Sequence, residues 1–327
     1  MLKLQYLHHN EELAAMLLGN WEYDQESLHL FQYYRISSNA VYPFENTGNS
    51  QFLRFAPAAE KQKANIQAEL EFIAYLREHG YGALEAVASR TGSELIEAET
   101  PWGPYYASVF KRVAGGQLGS TELSDHIVFK YGEALGRLHQ LSKEYTPAQP
   151  GRWSHKGVLE WVRTVLADFP GEEAAMAEVQ LLGEYFAGQP VTPENYGLIH
   201  YDFEPDNVFY DEATDAISVI DYDDAMYHWY AMDIEQALDS LEGEVAPEEY
   251  GHKKQYFMDG YTSCYSLPDE GPSMAACRRF ADLYSYARIL RSAAEQGENE
   301  PEWLTVLRTR LSNACATKAS QFGGPVG

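Results

Sequence analysis

The chain has 327 residues, of which 45% are hydrophobic and 13% aromatic, so it can bury a large core and is not a disordered protein. Its length suggests two domains or one two-lobed unit. Lys and Arg number 24 against 49 Asp and Glu, a formal charge of −25. A field of that sign disfavours nucleic acid and anionic membranes and favours cationic partners, although an acidic surface can also serve solubility alone.

The cysteines and the N-terminus indicate in which cellular compartment the protein is expected. Cys264, Cys277 and Cys315 are scattered and have no metal-ligand spacing, so we expect ordinary reduced thiols. The N-terminus lacks a long apolar segment, and no stretch approaches the ~20 apolar residues of a membrane span. The sequence therefore predicts a cytoplasmic protein without a membrane partner.

The first third of the chain predicts a short helix over residues 10 to 20 and then a β-meander. The predicted strands are Leu28 to Ser37, Ala40 to Phe44 and Gln51 to Phe55, all rich in aromatic or β-branched residues. Apolar residues at helical spacing then predict an amphipathic helix that begins near Pro57 and stops at Gly80.

Two more strands, Glu94 to Glu99 and Tyr105 to Val113, precede the paired glycines Gly115 and Gly116, which are typical of a hinge. The pattern that follows is mostly helical, with two helices between Trp153 and Gln189. The residues after about Ala319 are expected to form a loose tail.

The central motif is H-x-D-x-x-x-x-N, formed by His200, Asp202 and Asn207. Two short β runs with a polar turn between them follow, and the second ends at Asp221, so a hairpin should bring Asp202, Asn207 and Asp221 to one side. Oxygen ligands from Asn and Asp suit Mg²⁺, and a further carboxylate at Asp202 could accept a hydroxyl proton. The arrangement matches the template for phosphoryl transfer by kinases.

On these residues the sequence resembles the aminoglycoside phosphotransferase and choline kinase superfamily, the small-molecule relatives of protein kinases. The resemblance covers about residues 28 to 295. It implies an α+β, two-lobed protein-kinase-like fold, with a β-rich N-lobe at residues 1 to 113 and a mostly helical C-lobe at 114 to 327. It also implies ATP and Mg²⁺ as cofactors, with Asn207 and Asp221 on the metal.

The resemblance also implies roles for residues outside the motif. Arg54 and Glu69 match the strand cation and helical carboxylate that hold the nucleotide phosphates, with Glu71 as a competing partner. Asp202 would be the catalytic base and His200 would brace its loop, whereas His139 and Asp233 would be structural. The turn at Ser37 and Asn39 could present N–H groups to phosphates, or be a plain polar turn, since it has no glycine. The predicted nucleotide contacts are Ser37, Asn39, Arg54, Glu69, Phe110 and Arg112.

The acceptor is the least determined part of the prediction. Carboxylates and aromatic rings downstream of Asp221 suit a cationic alcohol or amino sugar, although the rings could instead be core residues. We expect a small hydroxylated, amine-bearing metabolite, with a protein Ser/Thr kinase, a non-catalytic nucleotide-binding module and a phosphoaspartate hydrolase as alternatives. The predicted substrate contacts are Glu204, Asp223, Asp224, Tyr227 and Trp229.

Overall fold

A computed structural model describes residues 1–266, 268–294 and 302–326 and has an α+β, two-lobed, protein-kinase-like fold. The N-lobe is a six-stranded antiparallel sheet with one long helix. Its strands occur in the order β1-β2-β3-β6-β4, and β5 also pairs with β6. The N-lobe elements are α1 (Glu11–Leu18), β1 (Arg35–Ile36), β2 (Ala40–Asn46), β3 (Asn49–Pro57), α2 (Lys63–Glu78), β4 (Ala86–Val87), β5 (Ile96–Thr100) and β6 (Gly103–Lys111).

The C-lobe is mostly helical and carries two small pieces of sheet. The hairpin β9–β10 pairs with β7, and β8 pairs with β11. The C-lobe elements are β7 (Gly116–Gln117), α3 (Asp125–Glu144), α4 (His155–Ala167), α5 (Glu173–Ala187), β8 (Tyr196–Ile199), β9 (Val208–Asp211), β10 (Ala216–Val219), β11 (Met226–Trp229), α6 (Ala231–Glu244), α7 (Pro247–Cys264), α8 (Met274–Ala293) and α9 (Glu302–Ala319).

Strand β3 divides its side chains between the N-lobe core and the cleft. Leu53 and Phe55 are buried with α1 and β2, because alternate residues of a strand face opposite sides of the sheet. Arg54 therefore points the other way, toward α2. The apolar face of α2, with Phe72 and Leu76, belongs to the same core as the C-lobe helices. The predicted lobe boundary between residues 113 and 114 stays a prediction.

The close packing of α3 on α7 depends on two glycines. A Cβ atom at Gly132 would lie 1.9 Å from the carbonyl oxygen of Phe257, and one at Gly260 would lie 2.0 Å from that of Phe129. Both distances are far below van der Waals contact, so any larger residue would force these helices apart. Among the described residues, no helix is both long and apolar enough to cross a membrane.

Three local predictions were wrong. The stretch predicted as the first strand is mainly a 3₁₀-helix, Gln25–Tyr33, and only Arg35–Ile36 pairs with β2. Pro57 ends β3 in an extended conformation, so α2 begins six residues later at Lys63. The C-terminal tail is docked, because the Gly323 N–H donates to Glu178 at 3.0 Å.

Candidate active site

The loop that carries the H-x-D-x-x-x-x-N motif follows β8 and is stabilised by hydrogen bonds to Asp233 of α6. The two oxygens of the Asp233 carboxylate accept the backbone N–H groups of His200 and Tyr201 at 2.9 and 2.7 Å. Tyr201 has φ of +70°, a left-handed conformation that costs a non-glycine residue energy, and Asp233 helps to hold it there. His139 contacts the same carboxylate at 3.1 Å. Asp233 and His139 thus have structural positions.

His200 lies behind the loop and is fully buried. Its Nε2 lies 2.9 Å from the carbonyl oxygen of Ile220 and therefore carries the proton, so Nδ1 accepts the N–H of Asp202 at 3.2 Å. Burial lowers the pKa of His200, which keeps the ring neutral. His200 is thus a positioning residue that ties the loop to the end of β10, and it does not itself face the cleft.

Asp202 and Asn207 are joined within the loop. The Asn207 amide nitrogen donates to the carbonyl oxygen of Asp202 at 2.9 Å and to its carboxylate at 3.0 Å. The pKa of the half-buried Asp202 carboxyl is raised to about 8, first by burial and then by the negative charges of Asp224, Glu204 and Asp221. A carboxylate with so high a pKa has a strong affinity for a proton, which suits a general base.

Asp221 lies beside this pair because of the β9–β10 hairpin. The N–H of Ile220 donates to the carbonyl oxygen of Asn207 at 2.9 Å, which places the next residue, Asp221, next to Asn207. Asp221 has φ of +62°, a second left-handed residue at the site. Its pKa is raised to about 6, first by burial and then by Asp223, although Arg54 opposes the rise. In the described parts of the chain, no cluster of three or more His, Cys, Asp or Glu forms a metal centre.

Arg54 of β3 and Glu69 of α2 form a buried, two-pronged ion pair within the N-lobe. The two guanidinium nitrogens donate to the two carboxylate oxygens at 2.7 and 2.8 Å, and the side chains are 11% and 0% exposed. The guanidinium also lies 4.7 Å from the centre of the Phe110 ring. Glu71, the competing partner, instead accepts from the hydroxyl of Tyr145 at 3.0 Å. The structure therefore contains the expected pair.

Two acids predicted to bind a cationic acceptor are already ion-paired. Asp223 contacts Lys61 at 2.5 Å, and Asp224 contacts Arg288 at 2.6 Å. Burial would raise the pKa of both carboxyls, but the neighbouring cations hold both below their usual range. Glu204 is half-buried, and its pKa is raised by burial. Lys61 and Arg288 were not predicted as site residues, because both lie far from their partners along the chain.

The structure separates other predicted contacts from this cleft. Trp229 is 1% exposed and donates to the carbonyl oxygen of Pro190 at 2.8 Å, so its prediction as a substrate contact was wrong. Its ring packs in the core on Phe186. Tyr227 is half-buried on β11 and lines neither cavity described below. Arg112 is exposed near the turn that joins β2 and β3, away from Arg54.

Two cavities meet beside the predicted catalytic residues. The acidic cavity, about 380 Å³, is lined by Asp202, Glu204 and Ser37. The aromatic cavity, about 290 Å³, is lined by Trp153, which precedes α4, by Trp161 and by other residues of α2, α4 and α8. The residues that line both are Met1, Ser38, Asp224 and Arg288. Asn39 lies near Arg54 in a small separate pocket.

Known proteins share this architecture. The structure aligns with an amicoumacin kinase solved in complex with AMP-PNP, Ca²⁺ and Ami, with a TM-score of 0.77, 17% identity and coverage of 99% of this chain and 97% of the other. It also aligns with a microcompartment-associated aminopropanol kinase, with a TM-score of 0.62, 22% identity and coverage of 94% and 96%. These likenesses confirm the two-lobed fold.

Sequence comparison points the same way. An amicoumacin kinase of Bacillus subtilis (strain 168) is 21% identical, and the alignment covers 99% of this chain and 98% of the relative. The profile of the phosphotransferase enzyme family matches residues 36–267, which is more than half of the chain. The resemblance seen in the sequence is thereby confirmed, and the chain belongs to the phosphotransferase enzyme family.

Proposed function

We propose that this protein transfers the γ-phosphate of ATP to a hydroxyl group of a small, amine-bearing molecule. The observation that supports this most directly is the contact between Asn207 and Asp202, with Asp221 alongside and the Arg54–Glu69 pair across the cleft. In this arrangement Asp202 would be the base, Asn207 and Asp221 the oxygen ligands and Arg54 the phosphate-binding cation, which is the set of groups that phosphoryl transfer requires.

Asn207 and Asp221 fit a divalent metal. The amide nitrogen of Asn207 is used by Asp202, so its oxygen is the atom left for a cation. Burial and the charge of Asp223 raise the pKa of Asp221, which means that its ionised form is disfavoured. A bound cation would stabilise that ionised form. An amide oxygen and a carboxylate suit Mg²⁺, which would neutralise negative charge on the phosphate oxygens when bound.

The remaining chemistry falls to residues of the chain. Arg54, oriented by Glu69, binds phosphate oxygens of ATP. Asp202 accepts the proton of the acceptor hydroxyl. The hydroxyl oxygen forms a bond to the γ-phosphorus while the bond between that phosphorus and the leaving oxygen of ADP breaks. The products are ADP and a phosphate ester, and the proton remains on Asp202 until solvent removes it.

The relatives suggest which acceptors to test first. Amicoumacin and aminopropanol appear in the names of the similar kinases, and a spectinomycin phosphotransferase and a choline kinase share the fold. An ADP-release screen should therefore include amicoumacin, aminopropanol, spectinomycin and choline beside common aminoglycosides. Acceptor-dependent ADP release from one of them is the expected result.

The same screen separates the alternatives. A parallel assay with radiolabelled ATP should use protein acceptors, and labelled protein without small-molecule turnover would favour the protein-kinase alternative. ATP binding without phosphotransfer in either assay would favour a non-catalytic module.

A further inference from the structure

We propose that the acceptor has two parts: a flat apolar ring system that binds in the aromatic cavity, and an amine-bearing hydroxyl arm that reaches Asp202 in the acidic cavity. This inference rests on the proposed phosphotransfer, since it names the acceptor of that reaction. It follows from the lining and charge of the two cavities, which share the Asp224–Arg288 ion pair.

Three half-buried rings form one wall of the aromatic cavity. The ring centres of Trp153 and Trp161 lie 6.2 Å apart, and Tyr284 meets Trp161 edge to face at 5.6 Å. Val158 and Met226, both almost fully buried, supply apolar surface beside them. A wall of partly exposed rings over aliphatic side chains favours a flat, apolar ligand, because stacking and removal of apolar surface from water both stabilise such a complex.

The charges of the aromatic cavity disfavour a polycationic ligand there. Its lining has four cations against three acids, although the whole chain has a charge of −25. Each acid already has a cationic partner, so a polycation would have to break partly buried ion pairs, which is costly. The ion pairs are Glu60–Arg291 at 2.8 Å, Asp223–Lys61 at 2.5 Å and Asp224–Arg288 at 2.6 Å.

The acidic cavity has the opposite balance. Its lining has six acids against three cations, and it includes Asp202, the predicted base. Four of the six acids pair with the three cations, so an amine there is attracted chiefly by Asp202 and Glu204, which have no ion pair among the described residues. A hydroxyl beside that amine comes close to Asp202. The acids are Asp202, Glu204, Asp224, Glu235, Asp239 and Asp282, and the cations are Arg278, Arg288 and Lys318.

Two amino diols that differ only in a ring test this inference. Phenylserinol has a phenyl ring, and serinol has the same amine and hydroxyls without it. We expect kcat/KM for phenylserinol to exceed that for serinol by about tenfold or more, from burial of the ring alone. Equal values for the two compounds would overturn the proposal.

Variants of the wall of the aromatic cavity test whether the preference for phenylserinol arises there. Trp161→Leu should abolish the ring preference, because kcat/KM for phenylserinol should fall by more than kcat/KM for serinol, whereas Trp161→Phe should retain most of the preference. Trp102→Leu is the matched control, because Trp102 is 44% exposed at the turn between β5 and β6 and lines neither cavity. A preference that survives in Trp161→Leu would place the ring elsewhere and contradict the inference.

Binding separates this inference from the proposed reaction. If neither diol is phosphorylated, calorimetry gives their dissociation constants directly. A preference of about tenfold for phenylserinol that is lost in Trp161→Leu would support the aromatic site and count only against phosphotransfer. Equal affinities, or no binding of either compound, would overturn the site itself.

Discussion

The side-chain amide of Asn207 donates a 3.0 Å hydrogen bond to the carboxylate of Asp202. This contact fixes the orientation of both side chains, because the amide nitrogen points to Asp202 and the amide oxygen must then point away from it. One bond thus joins the predicted base to a predicted metal ligand. Loss of either side chain should therefore affect both proton abstraction from the acceptor and metal binding.

The change Asp202→Asn should abolish activity and raise stability. Phosphotransfer should fall about 10²–10⁴-fold, the usual contribution of a general base. The pKa of Asp202 is raised to about 8, first by burial, so its folded pKa lies above the unfolded value and ionisation destabilises the folded state as pH rises toward 8. The neutral amide removes this cost, so Tm should rise above that of the wild type at pH 8 and less so at pH 5. A lower Tm at pH 8, or near-full turnover, would contradict the assignment.

Breaking the buried pair Arg54–Glu69 should reduce nucleotide binding and stability together. Glu69→Gln leaves a buried guanidinium without its charged partner, which is expected to cost about 3–5 kcal/mol of the free energy of unfolding. Arg54→Lys keeps the charge but loses the two-pronged geometry, so the KM for ATP should rise more than the stability falls. Arg163→Gln is the control, because the Arg163–Glu160 pair is exposed and its loss should cost less than about 1 kcal/mol. An unchanged KM in Arg54→Lys would exclude a phosphate role for Arg54.

Arg152 should position the metal-binding loop. Its guanidinium donates to the carbonyl oxygens of Asp223 at 3.1 Å, of Tyr222, and of Asn65 on α2 at 3.2 Å, so it links that helix to the loop that follows Asp221. Arg152→Ala should raise the Mg²⁺ concentration needed for half-maximal activity about tenfold, since hydrogen bonds from a charged donor are worth about 1.5–3 kcal/mol. Turnover measured across a Mg²⁺ series checks this. A loss of Tm with an unchanged Mg²⁺ requirement would show a purely structural role.

The buried histidines His155 and His228 should make the fold sensitive to acid. Neither ring nitrogen of His228 has a hydrogen-bond partner within the described residues. Burial lowers the pKa of His155 to about 4, and burial also lowers the pKa of His228 well below its usual range. Because both folded pKa values lie below the unfolded value, the unfolded state binds more protons, and stability should fall as pH drops from about 6.5 toward 4.

His228→Leu should therefore reduce the loss of Tm between pH 7 and pH 5. The control is His29→Gln, because His29 is exposed and its replacement should leave the pH dependence unchanged. An identical loss of Tm in wild type and His228→Leu would exclude His228 as a cause of acid sensitivity.

The sequence predicts the fold and the residues of the central motif because short spacings determine them. A hairpin of two short strands necessarily brings Asn207 close to Asp221. Because side chains alternate along β3, Arg54 lies on the face of the sheet opposite that of Leu53 and Phe55. The 3₁₀-helix at Gln25–Tyr33 was missed because its aromatic composition resembles that of a strand, and only tertiary pairing distinguishes the two.

Contacts distant in sequence could not be predicted. Lys61 meets Asp223 across 162 positions, and Arg288 meets Asp224 across 64, so no local pattern signals either pair. Trp229 was misplaced because an aromatic residue on a strand suits a core and a binding face equally well. It is buried by packing on Phe186 of α5, His155 of α4 and Tyr196 of β8. Trp153 and Trp161 were not predicted as a cavity wall, because Tyr284 of α8, which completes that wall, is distant from both in the sequence.

The most direct test of the account is a product assay with ATP, Mg²⁺ and the best acceptor from the screen, in which ADP and phosphate ester are quantified together. The account predicts one phosphate ester per ADP, with formation of both abolished in Asp202→Asn and in Asp221→Asn although both variants remain folded. ADP formed without phosphate ester, or ester formed at near wild-type rates by Asp202→Asn, would contradict the central claim that Asp202 activates the acceptor hydroxyl for phosphotransfer.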